Sequence, residues 1–283
     1  SGGNSNTSHM TSVAYSNQDG IMINTGVERF SLRSNVESKY KRFTFGMNLA
    51  GGKENITAPA VAPSGDASIM RYVSWFTRPT VPVQYSNGHY GYVDGSMTNA
   101  EDVKNPVELM QLGHRENRYW RFNGRAYAGY DIFDGLKFQT SLAYNFDLNA
   151  TKTYNPKDPA RYDADGNLKK AAGQTNQQTD YWYRNATWTN ENILTYNKTI
   201  NDHNLSLLLG HSVISSRWYT TTASVQGFPT ETIFELDGGV LNPGAKGNSE
   251  AYRLQSFFGR VNYSFKDRYL LEFNVRHDGS SRM

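Results

Sequence analysis

The sequence contains no cysteine, which removes disulfide staples, thiolate metal centres and cysteine nucleophiles together. No apolar run approaches the roughly 18 residues that a membrane-crossing helix requires, and mean hydropathy is −0.67. Charge of one sign is scarce: 29 basic against 26 acidic residues leave +3, with no basic block to follow a nucleic-acid backbone. The histidines His9, His89, His114, His203, His211 and His277 fall in separate segments with no i, i+4 pair, so no metal site is expected. No Gly-x-Ser-x-Gly elbow occurs, and Gly51-Gly52-Lys53 lacks the preceding glycine and following hydroxyl of a phosphate loop. The reading is therefore no enzyme, no catalytic residues and no cofactor. The residues from Ser1 onward show no charged region followed by an apolar stretch, so no signal peptide is visible in them.

What the chain has in abundance is aromatic residues, 13% with 19 tyrosines, set in an alternating pattern. Phe257, Val261, Tyr263 and Phe265 share one face, with Phe258, Arg260, Asn262 and Ser264 on the other. Lys266-Asp267-Arg268 reverses the chain. Tyr269, Leu271, Phe273 and Val275 then lie opposite Glu272, Asn274, Arg276 and Asp278, a period of 2 that predicts a hairpin with one apolar and one charged face. Such a sheet needs an apolar medium on one side and water on the other, which a bilayer around an aqueous lumen provides.

The same rule recurs along the chain. A short strand from His9 to Ser16 is followed by Phe30, Leu32 and Val36 against Arg29, Arg33, Asn35 and Glu37, and then by Phe43, Phe45, Met47 and Leu49. Tyr119 to Leu148 is the cleanest hairpin. Trp120, Phe122, Ala126, Ala128, Tyr130 and Ile132 share a face, Phe133-Asp134-Gly135 turns, and Leu136, Phe138, Leu142, Tyr144, Phe146 and Leu148 return. Rings at both ends of that face with small residues between them match two membrane interfaces. Tyr181 to Ile200 and Asn204 to Val225 form a third long hairpin about Asn201-Asp202-His203, its first half less regular.

Between these arms lie polar connections, expected as loops over Gly51 to about Asn117, Ala150 to Asp180 and Gly227 to Glu250. A structureless stretch of more than about 15 residues is unusual in a compact soluble domain but normal on the outer face of a membrane barrel. Within the first, Asn105-Pro106 predicts a turn or two of helix, with proline where its missing N–H costs little. Within the second, Asp163-Ala164-Asp165-Gly166-Asn167 reads as an Asp-Gly turn, since glycine comes too early for a calcium loop. The loop aromatics Trp75, Phe76, Tyr85, Tyr90, Tyr92, Tyr181, Trp182, Trp218 and Tyr219 are candidates to hold a sugar face or a peptide side chain; packing of loop on loop is the alternative. Arg121, Arg125, Arg260, Glu272, Arg276 and Asp278 face inward in this reading and line a hydrated lumen.

The fold expected is all-β, a transmembrane antiparallel barrel with long extracellular loops, incomplete at about nine strands because both ends of the sheet would be open edges. A soluble extracellular sandwich binding glycans or acting as an adhesin, and a small complete porin, are the alternatives.

Two stretches also carry a family likeness. Ser256-Phe257-Phe258-Gly259-Arg260-Val261-Asn262-Tyr263, Lys266-Asp267-Arg268-Tyr269-Leu270-Leu271 and Val275-Arg276-His277-Asp278-Gly279-Ser280-Ser281-Arg282 resemble a barrel segment of the SusC/RagA family of TonB-linked outer-membrane transporters. Ser1-Gly2-Gly3-Asn4, Ala14-Tyr15-Ser16-Asn17-Gln18-Asp19-Gly20-Ile21 and Glu28-Arg29-Phe30-Ser31-Leu32-Arg33 resemble an earlier part of the same barrel. The resemblance implies that residues 1–283 are roughly the second to tenth strands of a barrel of about 22, with the plug, the TonB-contacting segment and the other strands outside this chain and the start at Ser1 a truncation. It implies TonB-dependent uptake of oligosaccharides or peptides across the outer membrane. The implied partners are a SusD-like surface lipoprotein, the TonB system acting through the plug, and outer-membrane lipid.

Overall fold

The computed structural model describes residues 1–60, 80–91, 105–157, 160–173 and 175–282. Its architecture is one open antiparallel sheet of ten strands in the order β1-β2-β3-β4-β5-β6-β9-β10-β11-β12, with a separate two-stranded hairpin, β7-β8. The strands are β1 (Gly2–Gly3), β2 (Thr7–Asp19), β3 (Gly26–Tyr40), β4 (Phe43–Ala58), β5 (His114–Phe133), β6 (Leu136–Asn155), β7 (Arg161–Tyr162), β8 (Leu168–Lys170), β9 (Gln177–Ile200), β10 (His203–Gln226), β11 (Leu241–Phe265) and β12 (Tyr269–Ser280). Setting aside the two-residue β1, the sheet has the nine long strands the alternation predicts. Each long strand pairs with its neighbour in sequence within the sheet, so the topology is a meander in which short turns alternate with longer connections.

Those turns lie at one end. Lys41-Arg42, Asp134-Gly135 and Asn201-Asp202 each join two strands with two residues, and Lys41, Asn201, Lys266 and Asp267 take φ near +50° to close them. Gly135 sits at φ +87° with the Asn197 carbonyl where a β-carbon would stand, while its own carbonyl accepts from Asn197 N at 2.8 Å. A larger residue there is strained by both the dihedral and the neighbour.

The strands are longer than the alternation shows. β9 and β10 each run 24 residues and β11 runs 25, whereas crossing a bilayer takes about 9–11. The connections expected over Gly51 to Asn117, Ala150 to Asp180 and Gly227 to Glu250 accordingly shrink: β4 continues to Ala58, β5 starts at His114, β6 reaches Asn155 and β11 begins at Leu241. The Tyr181 to Asn192 arm, irregular in pattern, is paired without interruption to β6 and β10. Above the membrane both faces of a strand are wet, so sequences such as Gly51-Gly52-Lys53-Glu54-Asn55 extend the ladder without alternating.

The apolar face is bare. Leu209, Leu271, Phe273 and Val275 are each more than half exposed, and among the described residues no second sheet lies over them. Rings mark the turn end of that face: Phe43 meets Tyr130 at 4.6 Å between centroids, Phe133 meets Tyr196 at 6.3 Å and His203 stacks on Phe265 at 4.6 Å. A second set, Trp120, Phe122, Tyr144 and Trp188, stands further up, with Met47, Ala126 and Leu142 in register between the two. The polar face is the crowded one: Ser141, Ser212, Ser216 and Ser256 are buried there, as a sheet curled toward that face requires.

Candidate lumenal face and loop cap

Alternation fixes what each strand presents inward. Arg121 stands directly opposite Asp147, with Nε 3.9 Å from Oδ1. Arg125 Nη2 donates to Ser141 Oγ at 3.3 Å and lies 3.8 Å from Glu191 Oε2. Tyr127, beside it, donates its hydroxyl to Glu37 Oε2 at 2.6 Å. On β11 and β12, Arg276 donates from Nε to Asp278 Oδ1 at 2.9 Å and from Nη2 to Ser256 Oγ at 3.0 Å, and its guanidinium stands 5.7 Å from the Phe258 ring centroid. Glu272 accepts from Asn274 Nδ2 at 2.7 Å, and Arg260 sits opposite Asn274 on the same face. The six charges therefore share one face, and four of them, Arg121, Arg125, Arg276 and Asp278, stand in short cross-strand or along-strand ion pairs. Such exposed pairs contribute little individually, about 0.2–1 kcal/mol; collectively they keep the face hydrated and mixed in sign.

The strand ends carry a cap of packed loops. Helix α1 (Pro106–Leu112) starts with proline in its first turn, and Asn105 Oδ1 accepts from Val107 N at 3.0 Å and from Glu108 N at 3.4 Å, satisfying two of the orphan donors. Glu108 then pairs with Arg161 on β7, Oε2 to Nη1 at 3.0 Å, both side chains under a tenth exposed. The β7-β8 hairpin turns on Asp163, whose Oδ1 accepts from Asp165 N and Asn167 N, whose Oδ2 accepts from Asn167 Nδ2, and which pairs with Lys169 at 3.0 Å. This is the Asp-Gly turn, with Gly166 at φ +83°. The Asn167 side chain, its backbone N–H and then Lys169 hold the Asp163 carboxyl well below the usual aspartate range.

Tyr85 and Tyr90 belong to this cap. Residues 85–89 form a tight turn, Tyr85 N to His89 O at 2.8 Å, and Tyr90 Oη donates to Gln111 on α1. His89 stacks on Tyr162 at 4.1 Å, and Asn87 Nδ2 reaches the carbonyls of Asp163 and Ala164. Trp75, Phe76 and Tyr92 lie outside the described residues.

The remaining aromatics sit within strands, and each adjacent pair is split. Tyr181 and Trp218 share the polar face, opposite Thr151 and Asn185; Trp182 and Tyr219 share the apolar one, opposite Ala150 and Arg184. Sequence reasoning missed a second packed cluster, on the outer face of the strand tips. Tyr154 is fully buried between Phe228 and Phe234 and donates to Glu231 Oε2 at 2.7 Å, while Asn176 clasps the Phe228 backbone from both sides. Residues 227–240 thus fold back over β6, β9 and β10. The signal was the Phe228, Phe234 and Leu236 spacing within a segment otherwise rich in glycine and proline.

A two-faced, open antiparallel sheet with two-residue turns at one end and packed loops at the other defines the wall of a membrane β-barrel. The comparisons agree. The chain is 31% identical to TonB-dependent receptor P3 of Formosa agariphila over 99% of its own length and 27% of that protein's. It is 25% identical to TonB-dependent receptor P26 of the same organism, again over 99% of this chain and 27% of the relative. It superposes on a structure of the RagAB peptide transporter with a TM-score of 0.75 at 21% identity, covering 99% of this chain and 31% of that one, which shows the fold. No protein-family model matches. The resemblance to the barrel of SusC/RagA-type TonB-dependent receptors is borne out, and the chain spans about a quarter of the length of the curated relatives it matches.

Proposed function

We propose that this chain forms part of the wall of an outer-membrane transporter that takes up oligosaccharides or peptides under TonB drive. The observation that carries the reading is the two-sided sheet itself: an apolar face continuous across nine long strands, and behind it a face of paired charges and buried serines. A lipid-facing wall around a hydrated passage is what that division supports. The relatives are receptors, and the solved neighbours are a peptide transporter and importer, which supports a reading of transport rather than catalysis, with residues 1–283 all within the barrel. A SusD-like surface lipoprotein would capture substrate above the loop cap, and the TonB system would act through a plug held by inward charges such as Arg125 and Arg276. Trp218, Tyr181, Tyr85 and Tyr90, with Trp75, Phe76 and Tyr92, are the candidate substrate contacts.

The test is uptake of defined oligosaccharide and peptide mixtures by cells carrying or lacking the gene, each with TonB intact or deleted. Loss of one substrate class in both deletions is the expected result. Uptake that persists without the gene, or is indifferent to TonB, overturns the reading.

A further inference from the structure

The outer face carries an array that transport does not use. Arg184 on β9, Arg217 on β10 and Arg253 on β11 form a diagonal staircase. Arg184 is directly opposite Tyr219, Arg217 is opposite Ala186 and Ala251, and Arg253 is opposite Ser215, so successive arginines are diagonal neighbours within reach of long side chains. The Tyr219 ring lies between two of them, 4.7 Å from the Arg184 guanidinium and 5.0 Å from that of Arg217. All three arginines are exposed, and among the described residues none is in an ion pair. Every cross-strand neighbour just named is uncharged.

Three unpaired cations of one sign on the lipid-facing side repel one another unless an anion is shared between them. Depth says which. At ~3.4 Å per residue and a tilt of about 40°, they stand roughly 30 to 40 Å above the short turns. An apolar band about 25 Å tall, here Leu205, Leu207, Leu209 and Val213 along β10, lies below them. That height is the headgroup layer of the outer leaflet, and the exposed Trp188, in the same cross-strand row as Ser215 and Arg253, marks its lower boundary.

We propose that Arg184, Arg217 and Arg253 bind the phosphorylated headgroup of an outer-leaflet glycolipid, its acyl chains running down the Leu209 face. Guanidiniums suit this role because they bind phosphate oxygens in a bidentate fork and stack on a ring. The inference rests on the outer-membrane reading above.

The probe is monophosphoryl lipid A and its phosphate-free counterpart, added to the protein purified from its native membrane in detergent and read by native mass spectrometry. The wild type should retain the phosphorylated lipid at least tenfold better than the phosphate-free one. Arg184→Ser/Arg217→Ser/Arg253→Ser should abolish that preference, while Arg121→Ser on the lumenal face should keep it. The comparison of the two lipids on the wild type stands even if the triple variant does not fold. Equal retention of both lipids, or an unchanged preference in a folded triple variant, overturns the proposal. So does complete displacement by inorganic phosphate, which would mark a free-anion site. Reconstitution into lipid vesicles separates the two readings: a protein that inserts but shows no phosphate preference overturns the lipid site alone, and one that does not insert overturns both.

Discussion

The ring of Tyr127 lies across Gly46 on the lumenal face, and its hydroxyl donates to Glu37 Oε2 at 2.6 Å. The absence of a side chain on β4 lets a ring from β5 reach over to a carboxylate on β3, so one glycine links three strands. A β-carbon at Gly46 would overlap the ring. Gly46→Val should therefore expel Tyr127, break its bond to Glu37 and cost about 1–3 kcal/mol through overpacking, whereas Tyr127→Phe loses about 1 kcal/mol of hydrogen bond alone. Thermal unfolding in detergent, followed by gel mobility, checks the order. Equal stability of Gly46→Val and wild type would show that the ring has somewhere else to go.

The buried Glu108–Arg161 pair makes a different prediction, about loops rather than wall. Both side chains are nearly inaccessible, so removing one takes a direct counter-charge from the other where water cannot replace it. Glu108→Ala should cost about 3–5 kcal/mol in the cap, and Glu108→Leu/Arg161→Met should recover most of it, because an apolar pair of similar volume avoids the desolvation. Limited proteolysis within 156–176 should accelerate in the single variant and return toward wild type in the double, with the strands unaffected. A double variant cleaved as fast as the single would mean the pair does more than neutralise itself.

On the outer face Thr140 Oγ1 donates to Asn192 Oδ1 at 2.8 Å, Asn192 Nδ2 donates to Asn190 Oδ1 at 2.8 Å, and Asn190 Nδ2 ends the run on the Ser141 carbonyl at 3.1 Å. Polar groups facing lipid are tolerated when each finds a partner. Asn192→Leu breaks the run in the middle and should destabilise by about 1–3 kcal/mol. Adding Thr140→Val should remove part of that cost, a coupling of about 1 kcal/mol. Strictly additive effects in the double-mutant cycle would mean that Thr140 and Asn192 do not interact in the membrane.

The Asp163 turn supplies a pH test. Its carboxyl titrates below the ordinary aspartate range because the charged form accepts from Asn167 and pairs with Lys169. A depressed folded value means the carboxylate's contribution is fully present above the ordinary value of about 3.9 and is lost only as pH falls through the folded one. The Asp165 and Asn167 amides, which donate to Oδ1, should therefore keep their exchange protection from pH 7 to about 4 after correction for intrinsic rates. Loss of protection across the ordinary aspartate range would show that the carboxylate is not held as described.

How much of this was legible depends on what each face touches. Where one face meets an apolar medium and the other water, side chains must alternate, and Tyr119 to Leu148 gave both its strands and its turn away. Higher up, both faces meet water, and Leu241-Asn242-Pro243-Gly244-Ala245 carries no period at all though it lies in β11. That Arg121, Arg125, Arg260, Glu272, Arg276 and Asp278 share the polar face was readable because parity fixes a side chain's face once the strand is known. The arginine staircase was not, since it arises from register between three strands, and residues 184, 217 and 253 are far apart in sequence. The Glu108–Arg161 pair and the Tyr154 cluster join segments far apart in sequence above the regular sheet, for which no local pattern exists.

Parity also divides the aromatic pairs, and the division is a prediction about transport. Tyr181 and Trp218 lie on the polar face of the sheet, the side of the proposed passage, while their immediate neighbours Trp182 and Tyr219 lie on the apolar face. If uptake uses ring contacts along the wall, Trp218→Ala and Tyr181→Ala should each raise the concentration needed for half-maximal uptake about tenfold, the equivalent of about 1.4 kcal/mol lost from one contact. Trp182→Ala and Tyr219→Ala should leave that concentration unchanged, because neither ring can be reached from the lumen. The paired design controls for folding, since each inner variant is compared with a variant one residue away on the same strand. Binding of substrate to purified protein, measured alongside uptake, should show the same split. An outer variant that weakens binding as much as its inner neighbour would place the substrate path somewhere other than behind this face of the sheet.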